Sequence, residues 1–206
     1  MKVMLRLYDF LPSGNGYKVR LLLTQLGIPF ERVEINILKG ESRTPEFLTK
    51  NANGRIPVLQ LESGEFLAES NAILFYFSED TEFLPADKLL RARVLQWLFF
   101  EQYSHEPNIA TPRFWITELG KADEYREAIE QKRQAGYAAL AVMEQHLTQQ
   151  KFFVGDRYSI ADIGLFAYTH VADEGGFDLS RFPAIQAWIE RVKAQPKHIP
   201  ITQQQF

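Results

Sequence analysis

The stretch Asn51-Ala52-Asn53-Gly54-Arg55-Ile56-Pro57-Val58-Leu59-Gln60-Leu61-Glu62-Ser63-Gly64-Glu65-Phe66-Leu67-Ala68-Glu69-Ser70 decides the fold. Its two apolar runs read as paired strands, and Ser63-Gly64 between them fits a two-residue hairpin connection. A proline entering such a strand has no N–H for the ladder. Pro57 therefore belongs at the strand's first residue, where Ile56 can turn its backbone groups toward a peptide-like ligand. Ser70 opens a helical pattern whose first backbone donors suit a carboxylate, and Glu69 with Ser70 suits the ammonium and carboxylate of an amino acid. An ordinary hairpin followed by a capped helix is the competing reading.

Working outward, Leu5, Leu7 and Tyr8 belong to a short first strand, and Pro12 to Gly16 form a loop into the helical run Tyr17 to Leu23. That helix ends near Gly27, and Ile28 to Ile35 reads as a second strand joined to the first by a parallel crossover. With a short helical piece over Pro45 to Lys50, residues 1–78 read βαβαββα, four strands in a small mixed sheet. Residues 79–86 form a linker, and residues 87–206 carry helical periodicity at Leu90–Phe100, Tyr125–Leu147, Ile160–Val171 and Phe182–Val192. The expected class is an α/β domain followed by an all-helical domain. Pro107 and Pro112 are expected to bend the first long helix or unwind a turn. Ser159-Ile160-Ala161-Asp162 is a capping box with Asp in the place usually held by Glu or Gln, read as a stability element.

The chain's 206 residues carry 23 Lys and Arg against 26 Asp and Glu, which gives a net charge of -3 and argues against a nucleic-acid binder. There is no cysteine, so no disulfide, thiolate nucleophile or sulfur-based metal site arises from the protein itself. The start Met1-Lys2-Val3-Met4-Leu5-Arg6 reaches charge too soon for a secretory signal, and no apolar run is long enough to span a bilayer. A cytoplasmic protein without membrane contact is expected.

Ser13 lies in the first strand-to-helix loop, where Gly14, Asn15 and Gly16 let donors converge on an anion. Its hydroxyl, or the Asn15 amide, would stabilise a bound thiolate by donating a hydrogen bond. A turn and helix cap is the alternative. Tyr8 is a further hydroxyl, better suited to inward packing. The Gly14-Asn15-Gly16 string lacks the GxGxxG spacing, and no phosphate loop occurs. Glu101 and His105 share a helix face, and either a pocket or an ion pair would suit them. The four histidines show no metal-ligand spacing, so no metal is expected. Phe114 and Trp115 belong to an aromatic-rich segment that suits either an apolar substrate pocket or a core.

Taken together, Tyr8 with Ser13, Pro45-Glu46-Phe47-Leu48, Asn53 to Leu59, Glu69-Ser70 and Ser159 to Asp162 resemble the cytosolic glutathione transferase superfamily, in a bacterial serine/asparagine form, over nearly the full length. The resemblance implies a thioredoxin-like N-terminal domain with Pro57 in the cis form, a helical domain completing the site, and a homodimer. It implies that Ser13 or Asn15 is catalytic, with Ser13 matching the serine-type hydroxyl. Ile56 would meet the cysteinyl backbone of glutathione beside Pro57, Glu69 and Ser70 its γ-glutamyl end, and Lys39 its glycyl carboxylate with Arg55 near. His105 would lie close to glutathione, and Tyr8, Phe114 and Trp115 would line the second pocket. The implied activity is glutathione addition to, or displacement on, a small hydrophobic electrophile. Reduction of disulfides or peroxides with a second glutathione, or noncatalytic glutathione binding, are the alternatives. The absence of a loop cysteine counts against a mixed disulfide with the protein.

Overall fold

The structure is a computed structural model that describes residues 4–204. Met1 to Val3, the start read against a secretory signal, and the last two residues of the expected helical domain lie outside them. The chain divides into two compact units, Met1–Glu79 with Pro196–Phe206, and Asp80–Gln195. The segment from Pro196 thus groups with the N-terminal unit, although the sequence reading gives it to the helical domain. Tyr17 explains part of this, because its hydroxyl donates to the Ile199 carbonyl at 2.7 Å.

In the first unit, β1 (Leu5–Asp9), α1 (Gly14–Leu26), β2 (Phe30–Glu34), α2 (Pro45–Leu48), β3 (Val58–Gln60), β4 (Phe66–Ala68) and α3 (Ser70–Ser78) follow in the order βαβαββα, the thioredoxin-like arrangement. The sheet order is β2-β1-β3-β4. β1 runs parallel to β2, while β3 is antiparallel to both β1 and β4. Alternation along β1 turns Leu5 and Leu7 inward to a core with Val19, Leu23, Leu59 and Ile73, so α1 and α3 cover one sheet face. Burying such side chains is worth roughly 1.5–3 kcal/mol each.

Two local expectations are revised. Pro57 sits one residue before β3, and the Ile56–Pro57 peptide is cis. The hairpin connection is longer than Ser63-Gly64. Leu61 N–H donates to the Glu65 carbonyl at 2.8 Å and Gly64 N–H to the Leu61 carbonyl at 2.9 Å, which leaves Glu62-Ser63-Gly64 as the loop. Gly64, at φ 90°, takes the left-handed position that a three-residue loop requires.

The second unit contains α4 (Lys88–Phe100), α5 (Glu106–Arg113), α6 (Arg126–Leu147), α7 (Ile160–Thr169) and α8 (Pro183–Lys193). α4 and α5 are joined without a break by a π-helical turn, Glu101–His105, and a second π turn, Phe114–Glu118, follows α5. The prolines therefore neither bend nor unwind the helix in the expected way. The ring of Pro107 would crowd the carbonyl four residues earlier in α geometry, and the wider turn just before it relieves that contact. The Asn108 side chain serves the exposed acceptor, donating to the Ser104 carbonyl at 2.8 Å.

The capping box forms at the start of α7. Asp162 is fully buried and accepts from Ser159 N–H at 2.9 Å, Phe153 N–H at 3.2 Å and the Trp188 indole N–H at 2.9 Å, which ties α7 to α8 and to the preceding loop. Burial pushes its carboxyl up to about 7 against the pull of these donors. A raised folded value means that the associated stability is fully present below the unfolded value of 3.8 and is lost as pH rises to about 7. The stability difference between wild type and Asp162→Asn should therefore move against wild type by roughly 2–3 kcal/mol between about pH 5 and pH 8. Urea unfolding of both proteins across that range measures it, and a difference independent of pH would contradict the assignment.

Candidate functional site

The candidate site is built where β1 hands over to α1. Ser13 is the N-cap of α1, its Oγ accepting the Gly16 N–H at 3.3 Å. Asn15 lies in the first turn. Its Oδ1 accepts from the Lys18 ammonium at 2.8 Å and from the Ser70 hydroxyl at 3.3 Å. Lys18 Nζ also donates to Ser70 Oγ at 3.4 Å. Three residues from two helices are thus joined, with Lys18 and Ser70 both buried. The sequence reading named Ser13, Asn15 and Ser70, but it passed over Lys18 as one more cation in a helix.

Ser70 is the first residue of α3, and Glu69 before it has φ 68° and ψ 111°, an unfavourable conformation for a residue with a side chain. No side chain caps this helix. Its first backbone N–H groups and the positive end of its dipole are an anion receptor beside the Asn15 turn. The Glu69 side chain is exposed. Strain at a helix entry with no cap is the local signal of a ligand-facing turn.

The third part is the loop before β3. Asn51 braces it twice, its side-chain amide donating to the Arg55 carbonyl at 2.9 Å and its Oδ1 accepting the Asn53 N–H at 3.0 Å. Arg43 adds a bond to the Asn53 carbonyl at 2.8 Å. Sequence reasoning missed both supports, although Asn before a Gly turn was a usable signal. Ile56 is half-buried, Pro57 buried and Arg55 exposed. Lys39 is exposed in the 3-10 turn Ile37–Lys39.

Tyr8 belongs to a different cluster. It projects from the sheet face opposite Leu7, where its hydroxyl donates to Gln60 Oε1 at 3.3 Å and its ring meets Phe47, Phe66 and the Lys50 ammonium. In the helical unit His105 is buried, with Nε2 at 2.8 Å from Thr169 Oγ1. The Thr169 hydroxyl gives its hydrogen to the Leu165 carbonyl at 2.7 Å, so His105 Nε2–H is the donor in that pair. Trp115 stacks on Tyr125 at 4.6 Å, and Phe114 starts the second π turn. Among the described residues no cluster of His, Cys, Asp or Glu could hold a metal ion, and no helix is long and apolar enough to cross a membrane.

Residues 3–79 match the glutathione S-transferase N-terminal domain family, and residues 96–196 match the glutathione S-transferase C-terminal domain family. A glutathione S-transferase crystal structure from Pseudomonas fluorescens is 52% identical, covers 98% of this chain and 100% of its own, and superposes with a TM-score of 0.96. The disulfide-bond oxidoreductase YfcG of Escherichia coli is 30% identical, over 94% of this chain and 92% of its own. The glutathione transferase URE2P8 of Phanerochaete chrysosporium, solved with oxidized glutathione, is 26% identical over 94% of this chain and 91% of its own, with a TM-score of 0.83. The chain belongs to the glutathione S-transferase family, and is an enzyme that uses glutathione as its cosubstrate.

Proposed function

We propose that the turn Ser13–Asn15 holds the sulfur of glutathione as a thiolate, in a serine/asparagine form of the family's chemistry. The observation that carries this reading is the Asn15 amide, whose carbonyl oxygen is turned to an ammonium and a hydroxyl. That leaves Nδ2 as its donor end. Ser13 Oγ accepts from Gly16 and retains a hydroxyl hydrogen to give. Two donors on an anion lower a thiol's pKa and raise the fraction present as the nucleophile. The uncapped start of α3 at Glu69 and Ser70 suits the γ-glutamyl carboxylate, and Ile56 before cis-Pro57 suits the cysteinyl backbone. Lys39 and Arg55, exposed cations, suit the glycyl carboxylate. Phe114 and Trp115 are the proposed apolar wall for a small hydrophobic electrophile. The buried His105 and the bonded Tyr8 support their surroundings rather than meet the sulfur.

A second reading, reduction of a disulfide, is favoured by the likeness to YfcG and by the absence of cysteine. The glutathione thiolate would attack one sulfur of the substrate disulfide, forming a mixed disulfide and releasing a thiolate. A second glutathione would then displace the remaining thiolate to give oxidised glutathione. The chain's units fit a homodimer, in which a second copy would cover the exposed Leu89, Phe99 and Tyr103, at 60%, 71% and 87% accessibility.

Replacing Asn15 with alanine should raise the bound thiol's pKa by about 1–2, since a hydrogen bond to a charged group is worth about 1.5–3 kcal/mol. Ser13→Ala should raise it less and cost roughly 0.5–2 kcal/mol of stability through the lost cap. Ultraviolet thiolate absorbance against pH separates the two, and a larger change in the Ser13 variant would reverse the roles. Supplying activated aryl halides and small disulfides in parallel and quantifying conjugate against oxidised glutathione tests the reaction. Disulfide product alone would establish the second reading over the first. Sedimentation equilibrium at micromolar concentration should show twice the 23.8 kDa chain mass, and a monomer would refute the assembly.

A further inference from the structure

Lys18 is a costly residue where it stands. Its side chain is fully buried, in the second turn of α1, where the helix dipole opposes a positive charge. An aliphatic side chain of the same length would fill the space without that cost. What the ammonium supplies instead is chemical: it has donors and no acceptor, so the Asn15 amide beside it has only one tolerable orientation. At 2.8 Å the carbonyl Oδ1 faces Nζ, and a flipped amide would set two donors against each other. Ser70 reinforces the choice, its hydroxyl accepting from Lys18 and donating to the same Oδ1. The Asn15 amide is held by a buried cation from its own helix and a hydroxyl from α3. A charge on the carbonyl end also polarises the amide and strengthens donation from its nitrogen.

We propose that Lys18 is a positioning residue, a buried ammonium that locks the Asn15 amide with its N–H end toward the glutathione sulfur and sharpens it as a donor. The inference rests on the reading of Asn15 as a thiolate donor. Lys18 does not touch the sulfur, and its action passes through Asn15. A merely structural role for Lys18 would change stability and leave the thiol titration in place. A positioning role moves the titration and depends on the amide being present.

The test is a double-mutant cycle with Lys18→Met and Asn15→Ala, read by thiolate absorbance of bound glutathione against pH and by glutathione affinity. Lys18→Met should raise the bound thiol's pKa by about one and lower turnover near neutral pH about tenfold, with turnover recovering at alkaline pH. Glutathione affinity should change less than about threefold, because the peptide contacts proposed for Ile56 and the start of α3 remain. In the Asn15→Ala background the same substitution should add little. Should the methionine variant fail to fold, Lys18→Gln, which removes the charge and keeps an amide, is read in its place. A folded Lys18 variant with a wild-type thiol titration overturns the proposal, as does an equal effect with and without Asn15. An Asn15→Ala protein with unchanged titration would instead remove the underlying reading of the site.

Discussion

The ion pair between Asp9 and Arg20 is the constraint on which the N-terminal unit depends. Asp9 ends β1 on the inward face, Arg20 lies on α1, and their charged atoms stand 3.4 Å apart with both side chains fully buried. Burial pushes the carboxyl up and the guanidinium down, while each partner pulls the other back. Arg20 also donates to the Leu11 carbonyl at 2.8 Å, so it spans the loop that carries Ser13 and Asn15. For the pair to form, the first turn of α1 must lie against the strand end. A Cβ at Gly16 would come within 1.6 Å of Asp9 Oδ1, so only glycine allows that approach. Removing one partner of such a pair leaves a buried charge and costs about 3–5 kcal/mol. The loop geometry would go with it.

The helical unit is organised by carboxylates in a comparable way, with hydrogen bonds in place of a counter-charge. Asp162 gathers donors from a cap, a loop and an indole. Glu144 of α6 accepts the Ala184 and Ile185 N–H groups at 2.9 Å each and so serves the start of α8, where Phe182 offers no cap of its own. Both acids are satisfied acceptors at helix N-termini, where the dipole favours negative charge. They fix the packing of α6, α7 and α8 without entering any reaction.

Alternation and helical periodicity made the strands of the sheet and the long helices legible, because those patterns follow from which face is buried. The hairpin loop was misjudged by its residue types. Ser63-Gly64 suits a two-residue turn, but the Leu61 to Glu65 bond sets the register one residue earlier. The site was legible as chemistry at Ser13, Asn15, Glu69 and Ser70, whose types point to anions and caps. Lys18 was not, since a lysine in an amphipathic helix normally carries its charge to water, and only the tertiary placement of Ser70 keeps it inside. His105 shows the same limit. Its helix neighbour Glu101 was visible, whereas Thr169, 64 residues away, required the fold.

The π turn at Glu101–His105 has a consequence for the phase of the helical code. An α-helix advances about 100° per residue, so one residue absorbed into a wider turn rotates everything after it by about that angle. The faces of α4 and α5 therefore cannot be read from a single wheel, and a stripe extrapolated from Leu90 through Phe100 lands on the wrong side by Ile109. The extra residue works as a clutch between two registers. Shortening the turn by one residue would return the chain to α geometry and carry the buried Ile109 and Pro112 toward the surface, although every side chain would keep its identity.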